Sequence, residues 1–417
     1  MQAENNKSNI QTVIFGCRLN TLEAEKIKNI LQPALKSAIL VNTCAVTAEA
    51  ERQCGQAVRR LARENPGTPI FVTGCAATRN PALFAQIPNT FVIDNRDKMR
   101  LSAYLDAAGI ASGTNTGAPN TAAPIAPAAR EKMSKQFIQI QNGCSHDCTY
   151  CVTRLLRGPA VSFEYSDILR DVQAAVDAGH SEIVLTGVDI ASYARLRDGK
   201  PFLISDLCRQ ILADVPGVRR LRLSSMDPAV PEIMRVIDLI HSDSRMMPHL
   251  HLSMQSGCDE ILAAMRRRHT AQMVRDLAAY AAGITFSWDI ICGFPGETEA
   301  NFQTTMQLVA DTRPIKIHAF PFSPRPGTVA ADMQNQVNRA VSKARVREIV
   351  AAANANRDEY MRRQIGKTVQ VLTEKANTAR TPDDIAVRII GDALPARLIT
   401  DVVLTDIDGD TFIAKCA

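Results

Sequence analysis

Three cysteines lie within eight residues of one another, at Cys144, Cys148 and Cys151 in the segment CSHDCTYC. Three thiolates at this C-x3-C-x2-C spacing can hold three corners of a 4Fe–4S cluster and leave the fourth iron open to a ligand. A structural zinc ion is the alternative, but it needs a fourth protein ligand, and His146 is the only local candidate. Its place between two cysteines gives poor tetrahedral geometry, so the spacing favours an iron–sulfur cluster.

Three further cysteines are far apart in the sequence but occupy equivalent positions. Cys17, Cys44 and Cys75 each follow a short apolar run (TVIF, AILVNT or PIFVTG) that predicts a β-strand. Helical patterns separate the runs, which predicts a parallel sheet whose strand carboxyl ends all lie on one edge. The three thiols can therefore converge on a second site. Three buried thiols at strand ends are the alternative, but the shared position after each strand favours a site.

The pattern of strands and helices divides the chain into structured parts that would position these cysteines. Residues 1–110 predict an open parallel α/β sheet, and residues 365–417 predict a small β domain. An Ala-, Pro- and Thr-rich stretch at 111–133 predicts a linker. Residues 134–364 predict a partial (β/α)6 barrel, followed by a long basic helix at about 335–364. The barrel strands are expected at 136–140, 182–186, 219–223, 248–253, 284–291 and 316–321.

Composition limits the class of protein. The chain has 417 residues, 46% hydrophobic and 22% charged, which suits two or three domains with buried cores and excludes global disorder. No apolar run approaches the ~20 residues of a membrane span, and the polar start MQAENNKSN does not resemble a signal peptide. We therefore expect a cytoplasmic protein with no membrane partner. Eleven cysteines in a reducing compartment indicate metal or redox chemistry rather than disulfides.

From about residue 134 to 330 the chain resembles the radical S-adenosylmethionine (SAM) enzymes, whose cysteine spacing is that of CSHDCTYC. The resemblance implies that SAM binds the open iron and that an external electron donor drives its cleavage to a 5′-deoxyadenosyl radical. A Gly-Phe-Pro turn at 293–295 can simply end a strand, and Asp189 can simply cap a helix. Taken together with the cysteine segment, however, Tyr150 and the residues after the predicted strands match the family's SAM-binding positions. These positions are Tyr150, Gly187, Asp189, Ser224, Gln255, Gly293 and Glu297.

The segments FGCRLNTLEAE, VNTCAVTAEA and VTGCAA resemble the N-terminal domain of the methylthiotransferases, a branch of the radical SAM enzymes. The resemblance implies that Cys17, Cys44 and Cys75 hold an auxiliary 4Fe–4S cluster whose open iron binds an exogenous sulfur. VNTCAVTAEA, LTGVDIASY and MPHLHLSMQSG are most similar to the group that acts on N6-threonylcarbamoyladenosine at position 37 of tRNA. The implied reaction adds a methylthio group to carbon 2 of that adenine. The loop after Cys151 keeps the family's Arg157-Gly158 but lacks its flanking Pro-Tyr and Arg-Ser.

Clusters of arginines predict where RNA phosphates bind. Solvated helix faces are the alternative interpretation of each cluster. The C-terminal part resembles the tRNA-binding TRAM module, yet residues 366–417 hold six Lys+Arg against eight Asp+Glu, a net charge of −2. We therefore expect arginines elsewhere to supply much of the phosphate contact. The candidates are Arg157, Arg266, Arg267, Arg268, Arg362 and Arg363.

Two other functions are compatible with these patterns. One is a sibling methylthiotransferase that acts on N6-isopentenyladenosine of tRNA or on an aspartate of a ribosomal protein. The other is a non-catalytic iron–sulfur protein that binds RNA or transfers electrons, although such a protein would not need SAM-binding strand ends. The sequence does not specify the sulfur source or the reductant. The remaining cysteines have no partner at ligand spacing and are predicted to be structural: Cys54, Cys208, Cys258, Cys292 and Cys416.

Overall fold

The N-terminal part of the computed structural model is a four-stranded parallel sheet in the order β1-β2-β3-β4. The structure describes residues 9–16, 18–110, 134–375 and 377–417, so Cys17 and the predicted linker lie outside the described residues. The elements are β1 (Asn9–Ile14), α1 (Arg18–Leu31), β2 (Ser37–Thr43), α2 (Ala48–Glu64), β3 (Ile70–Gly74), α3 (Cys75–Arg79), α4 (Pro81–Ala85), β4 (Thr90–Val92) and α5 (Leu101–Ala107).

Apolar strands covered on both faces form the core of this sheet. β2 and β3 bury nearly every residue, as parallel strands under helices do. Leu40 and Phe71 pack with α1 and α5 on one face, and Val58 of α2 belongs to the apolar cluster on the other. Thr47 caps α2, because its hydroxyl oxygen accepts a hydrogen bond from the amide of Ala50 at 3.1 Å.

Six parallel strands form an open barrel in the next part, if β11 and β12, which are separated by Ser224 alone, count as one strand, and this confirms the predicted fold class. One sheet has the order β11-β8-β5 and the other the order β12-β13-β14-β15, and a bridge between Leu221 and Met246 connects them. The elements are β5 (Lys135–Gln139), β6 (Gln141–Asn142), α6 (Thr153–Arg157), β7 (Val161–Ser162), α7 (Tyr165–Asp177), β8 (Glu182–Thr186), β9 (Ala194–Arg197), β10 (Lys200–Leu203), α8 (Ile204–Asp214), β11 (Arg220–Leu223), β12 (Ser225–Met226), α9 (Glu232–Ser242), β13 (His249–Gln255), α10 (Asp259–Ala264), α11 (Ala271–Tyr280), β14 (Thr285–Cys292), α12 (Glu299–Thr312) and β15 (Lys316–Pro321).

A long helix, α13 (Arg339–Arg362), connects this barrel to a closed five-stranded barrel at the C-terminus. The strands of the small barrel are β16 (Thr368–Lys375), β17 (Thr378–Arg380), β18 (Ala386–Ile390), β19 (Ile399–Asp408) and β20 (Thr411–Cys416). The small barrel packs on the amino ends of the large barrel's strands, where Arg222 donates to the Pro382 carbonyl at 2.7 Å and Lys135 pairs with Asp384. It therefore lies at the end opposite the strand carboxyl ends.

The N-terminal part packs against the large barrel through three of its helices. Leu22 of α1 contacts the barrel-strand residues Phe137 and Val184 in a small apolar cluster. Glu51 of α2 forms a buried ion pair with Arg325, which follows β15. Helix α3 packs against α6. Within the described ranges, no helix is both long and apolar enough to span a membrane.

Candidate active site

Residues 143–151, here called the cluster loop, follow the first barrel strand and carry the three closely spaced cysteines. Gly143 has a φ of 69°, and a Cβ there would overlap the Pro159 carbonyl oxygen, so only glycine fits. The amide of Cys144 donates to the Gly158 carbonyl at 3.0 Å. The start of the loop is thereby fixed against the segment that follows α6.

Thr149 fixes the second half of the cluster loop. Its amide donates to the Met265 carbonyl at 3.1 Å, and its hydroxyl donates to the Ala264 carbonyl at 2.9 Å. The amide of Cys151 donates to the Cys148 carbonyl at 3.1 Å, which turns the chain between these two cysteines. The geometry therefore presents three thiols from one restrained loop, as an iron–sulfur cluster requires.

The protonation of these thiols bears on what they bind. Burial raises the pKa of the Cys144 thiol to about 11 and also raises the pKa of Cys151. Only the thiolate is a metal ligand, so iron must displace these protons when it binds. The cluster loop thus suits a metal rather than a free nucleophilic thiolate at neutral pH.

Arg266, Arg267 and Arg268 brace the cluster loop from the segment after α10. The Arg267 side chain is only 7% exposed, approaches the Cys148 sulfur at 3.7 Å and donates to the Ser253 carbonyl at 2.6 Å. Arg266 pairs with Asp147 at 2.8 Å, and both side chains are about half exposed. Arg268 pairs with Asp227 at 2.9 Å and contacts His146 at 3.0 Å. The arginine run that predicted RNA contacts therefore also supports the loop.

Asp189 lies at the end of β8 beside the cluster loop. Cys144, His146 and Asp189 each bring one potential ligand atom within 4.8 Å of the others. The Asp189 carboxylate already pairs with His146 at 2.9 Å and accepts from the Ser192 hydroxyl. Burial raises the pKa of Asp189, but these two hydrogen bonds outweigh it and hold the pKa below its usual range. A zinc ion on this trio would leave two of the three loop cysteines unused.

The other predicted SAM contacts lie at the same barrel edge. A Cβ on Gly187 would approach the Gln141 carbonyl oxygen to 2.8 Å, and the amide of Asp189 donates to the Gln141 side chain at 2.8 Å. Ser224 directly follows β11 and is partly exposed. Gln255 ends β13 with a φ of 70°, after an irregularity in the pairing with β14. These residues lie at the same ends of the barrel strands as the cluster loop, which follows β5 and β6.

Gly293, Glu297 and Tyr150 complete that edge. Gly293 follows β14 with a φ of 78°, and its amide donates to the Glu297 carboxylate at 2.5 Å. Glu297 also pairs with Arg345 of α13 at 2.8 Å. Its carboxylate therefore fixes the turn at Gly293, so that the backbone of this turn lies at the barrel edge. Tyr150 packs in an apolar cluster that includes Phe294.

The second cysteine set lies at the carboxyl edge of the N-terminal sheet, here called the auxiliary edge (Gly16, Cys44 and Cys75). The register pairs Ile14 with Asn42 and Asn42 with Thr73, so the three residues of the edge each lie two positions beyond paired residues. Adjacent strands are about 4.8 Å apart, which brings Cys44 and Cys75 close together. Cys17 itself lies outside the described residues.

Glycines allow the close approach at the auxiliary edge. A Cβ on Gly16 would lie 2.7 Å from the Cys44 Cβ, so the residue before Cys17 is already against Cys44. Gly74, before Cys75, has φ 95° and ψ −174°, and its Cβ would lie 2.6 Å from the Thr43 amide nitrogen. The close packing of these strand ends fits an iron–sulfur cluster whose cysteine ligands are far apart in the sequence.

The auxiliary edge adjoins the cluster loop through residues directly after the cysteines. Val152 and Ala76 follow Cys151 and Cys75, and both lie in one buried apolar cluster. Asn95 donates to the Cys75 sulfur at 3.7 Å and to the Leu156 carbonyl of α6 at 3.1 Å. The two cysteine sets are therefore neighbours across the interface. The sequence pattern did not indicate a role for Asn95, because it lies in a turn without any motif.

The remaining arginine candidates have different surroundings. Arg157 is buried, pairs with Glu23 of α1 at 2.7 Å and donates to the Asn20 side-chain oxygen at 2.8 Å. Arg362 and Arg363 are exposed at the far end of α13, where Arg363 pairs with Glu359 at 3.6 Å. That end of α13 lies near the small C-terminal barrel, because Tyr360 donates to Asp383 at 2.6 Å.

Family models match both cysteine-bearing parts. One described as the radical SAM superfamily matches residues 138–309, and one described as the uncharacterized protein family UPF0004 matches residues 9–94. Among solved structures, the radical SAM methyltransferase TsrM from Kitasatospora setae aligns with a TM-score of 0.56 at 13% identity, over 78% of this chain and 77% of that chain. This similarity concerns the fold alone.

Similar sequences extend over nearly the whole chain. The threonylcarbamoyladenosine tRNA methylthiotransferase MtaB of Rickettsia prowazekii is 37% identical, over 93% of this chain and 94% of that protein. The protein of the same name from Bacillus subtilis is 31% identical, over 88% and 85%. A tRNA-2-methylthio-N(6)-dimethylallyladenosine synthase of Erythrobacter litoralis is 31% identical, over 87% and 85%. The chain therefore belongs to the radical SAM tRNA methylthiotransferases.

Proposed function

We propose that this protein adds a methylthio group to carbon 2 of N6-threonylcarbamoyladenosine at position 37 of tRNA. The observation that carries the proposal is the juxtaposition of two cysteine sets, on the cluster loop and on the auxiliary edge, across one packed interface. The substrate follows the threonylcarbamoyladenosine-specific names of relatives that match over most of the chain. The protein is thus a sulfur-transferring enzyme that modifies tRNA.

The cofactors are two 4Fe–4S clusters and SAM. We propose Cys144, Cys148 and Cys151 as ligands of the radical cluster, and Cys17, Cys44 and Cys75 as ligands of the auxiliary cluster. When bound, these groups supply a radical and an activated sulfur. The carbon–hydrogen bond of adenine needs such chemistry, because it is unactivated and cannot be broken by acid–base catalysis. The residues around them bind, orient and exclude water.

The barrel edge supplies the proposed SAM contacts. The Asp189 carboxylate, whose pKa lies below its usual range, is beside Cys144, where it could accept a hydrogen bond from the methionine amino group of SAM. Gly187 and Gly293 leave room for the ligand to approach the backbone. Glu297 holds the turn of Gly293 in place. The full proposed set is Tyr150, Gly187, Asp189, Ser224, Gln255, Gly293 and Glu297.

The proposed tRNA surface begins beside the cluster loop. Arg266 and Arg268 are about half exposed there and carry charge that phosphates can use. Arg267 and Arg157 are buried and support the fold around the clusters. Arg362 and Arg363 offer a second, distant contact at the end of α13. We further propose that an external donor supplies electrons and that the enzyme works in the cytoplasm, where tRNA is modified.

A sibling specificity is the second candidate, because dimethylallyladenosine-specific relatives also match over most of the chain. Nucleoside analysis of tRNA from a strain that lacks the gene decides between them. We expect 2-methylthio-N6-threonylcarbamoyladenosine to disappear and N6-threonylcarbamoyladenosine to accumulate, with the isopentenyladenosine derivatives unchanged. Loss of the methylthiolated isopentenyladenosine instead would assign the sibling function.

Complementation links that result to the proposed cysteines. Cys148→Ala should fail to restore the modified nucleoside, whereas Cys208→Ala, a buried thiol on α8, should restore it. Anaerobic incubation of the purified wild type with SAM and a reductant should release 5′-deoxyadenosine. An electron-transfer protein without catalytic function would bind iron but release no 5′-deoxyadenosine.

A further inference from the structure

We infer that Arg157 is a positioning residue that fixes the auxiliary edge against the cluster loop through two hydrogen-bonded branches. The inference rests on the proposed function in one respect, that each of these two sites carries a cluster. The sequence presents Arg157 as a candidate RNA contact, but only 5% of its side chain is exposed. Its guanidinium instead reaches from α6, directly after the cluster loop, into the N-terminal part.

The first branch passes through Asn20. Arg157 donates to the Asn20 side-chain oxygen at 2.8 Å. The Asn20 amide nitrogen donates to the carbonyls of Phe15 at 2.7 Å and of Thr43 at 3.2 Å. Phe15 and Thr43 lie just before Cys17 and Cys44. Because arginine can only donate, it fixes which end of the Asn20 amide faces the strand ends. One guanidinium thereby orients the residue that clasps two of the three cysteine-bearing turns.

The second branch ends at the third cysteine. Arg157 pairs with Glu23 at 2.7 Å, and Glu23 pairs with Lys98 at 2.7 Å. Lys98 donates to the Asn95 side-chain oxygen at 2.9 Å, and Asn95 donates to the Cys75 sulfur at 3.7 Å. The chain of contacts thus runs from the end of α6 to a proposed ligand of the auxiliary cluster without reaching solvent.

The charges in this second branch do not balance within it. Glu23 is fully buried and lies between two cations, Lys98 at 3% exposure and Arg157. Within this branch alone, two cations face one carboxylate, a surplus of one positive charge, and Lys98 connects to Cys75 through Asn95. An oxidised 4Fe–4S cluster with three thiolates carries one net negative charge, which this surplus would offset. A buried cation also favours the more negative reduced cluster, so it should raise the cluster's reduction potential.

Arginine is required here by geometry as well as by charge. Its planar guanidinium donates to Glu23 and Asn20 from different nitrogen atoms, at 2.7 and 2.8 Å. A lysine has the same charge but one nitrogen on a flexible stem, so it cannot maintain both contacts with fixed orientation. Arg157→Lys therefore separates the charge from the positioning, and Arg157→Gln removes both.

The test compares Arg157→Gln and Arg157→Lys with Arg154→Gln, an exposed arginine on the same helix. In cluster-free protein, hydrogen exchange around residues 75–79 and 93–98 should quicken in both Arg157 variants and stay unchanged in the control. In reconstituted protein, both Arg157 variants should still release 5′-deoxyadenosine at near the wild-type rate. Methylthiolated product per 5′-deoxyadenosine should fall by about a hundredfold, because the sulfur is misplaced.

Two further measurements separate positioning from other roles. The auxiliary cluster's reduction potential should fall in Arg157→Gln and remain near the wild-type value in Arg157→Lys. The tRNA affinity should be unchanged in both. Unchanged exchange and product ratio in Arg157→Gln would overturn the inference, and lowered tRNA affinity with unchanged exchange would make Arg157 an RNA contact.

If Arg157→Gln does not fold, Asn20→Asp decides, because it keeps the acceptor for Arg157 and loses both donors to the strand ends. If the wild type makes no methylthiolated product, the proposed function fails, while the exchange measurement still tests the link.

Discussion

The cluster loop and the auxiliary edge present three cysteines each, but they achieve this in opposite ways. The loop draws its cysteines from eight consecutive residues and is fixed by contacts within the barrel, at Gly158, Met265 and Arg267. The auxiliary edge draws its cysteines from three strand ends about 30 residues apart, and its neighbours Asn20 and Asn95 are held from the barrel side. A substitution in the cluster loop should therefore affect the loop's own cysteines alone. A substitution at the interface should displace the cysteines of the auxiliary edge more than those of the loop.

The largest effect is expected from removing either cysteine set. The triple replacement of Cys144, Cys148 and Cys151 by Ala should retain about four of about eight irons and lose SAM cleavage completely, because each cluster depends on its own three thiolates. Replacing Cys17, Cys44 and Cys75 should also retain about four irons. That second variant should cleave SAM normally and make no methylthiolated product.

Iron analysis and quantification of 5′-deoxyadenosine check this separation, with Cys416→Ala as the control for a thiol outside both sets. Loss of all iron from either folded triple variant would show that the two sites are not independent. Product formation after removal of the N-terminal triplet would reduce those three cysteines to structural thiols.

The two sites also differ in how far the sequence predicts them. Spacing alone predicts the cluster loop, because its proposed ligands lie close together in the sequence. The auxiliary edge needed the inference that parallel strand ends share an edge, which the register of Cys44 and Cys75 bears out. Neither cysteine spacing nor strand order indicates Glu23 or the role of Arg157. Glu23 shares the four-residue spacing of Leu19 and Ile27 on the buried face of α1, but the sequence does not indicate that Lys98 and Arg157 pair with it there.

Removing the Glu23 charge should cause the next largest effect. Glu23→Gln removes the carboxylate that pairs with both Lys98 and Arg157, and breaking a buried ion pair in this way typically costs about 3–5 kcal/mol. Burial lowers the pKa of Lys98, and the nearby Arg157 adds to this, so the site depends on Glu23. Urea unfolding of cluster-free protein measures the loss. Glu49→Gln, which removes an exposed partner of Arg52, should change stability much less, because exposed ion pairs contribute little. Equal effects in the two variants would contradict the buried charge arrangement.

The same carboxylate predicts an acid-sensitive interface. Burial raises the pKa of Glu23, but Lys98 and Arg157 outweigh it and lower the pKa from 4.5 to about 2. A depressed pKa in the folded state means that the stabilisation is present above about pH 4.5 and is lost as the pH falls towards 2. A shift of this size corresponds to about 3 kcal/mol. The difference in unfolding free energy between wild type and Glu23→Gln should therefore shrink across that pH range. A difference that is constant between pH 6 and pH 3 would exclude Glu23 as its source.

Two glycines test the comparison at the level of single backbone positions. Gly74→Ala should lose the auxiliary iron and keep SAM cleavage, because its Cβ would lie 2.6 Å from the Thr43 backbone nitrogen, which cannot move aside. Gly293→Ala should keep the auxiliary iron and weaken SAM binding, because its Cβ would overlap the Ser342 hydroxyl oxygen. Gly283→Ala is the control, with a φ of 84° and nothing within 4 Å, and should cost only about 1–2 kcal/mol. Iron content and SAM affinity distinguish the three variants. The same loss of iron or SAM affinity in all three would show that backbone strain alone causes it.

The smallest effect is expected far from both clusters, at Arg362 and Arg363. From Arg345, beside the Gly293 turn, to Arg362 the helix runs 17 residues, or about 26 Å. A tRNA is large enough to reach this end of the protein while its position 37 enters the cluster edge, but each arginine there can bind only one phosphate. Arg362→Ala with Arg363→Ala should therefore lower the slope of log affinity against log salt by roughly 0.7–0.9 for each phosphate that is no longer bound, and leave SAM cleavage unchanged.

The matched comparison for that salt titration is Arg388→Ala with Lys415→Ala on the small C-terminal barrel, two basic residues on paired strands. Because residues 366–417 carry a net charge of −2, this pair should flatten the slope less than the pair on α13. Substitution is a better test than truncation. Removing the small barrel would take away the Pro382 and Asp384 contacts of Arg222 and Lys135 and disturb the large barrel as well. A larger effect from the barrel pair than from the helix pair would make the C-terminal domain the main tRNA platform despite its net negative charge.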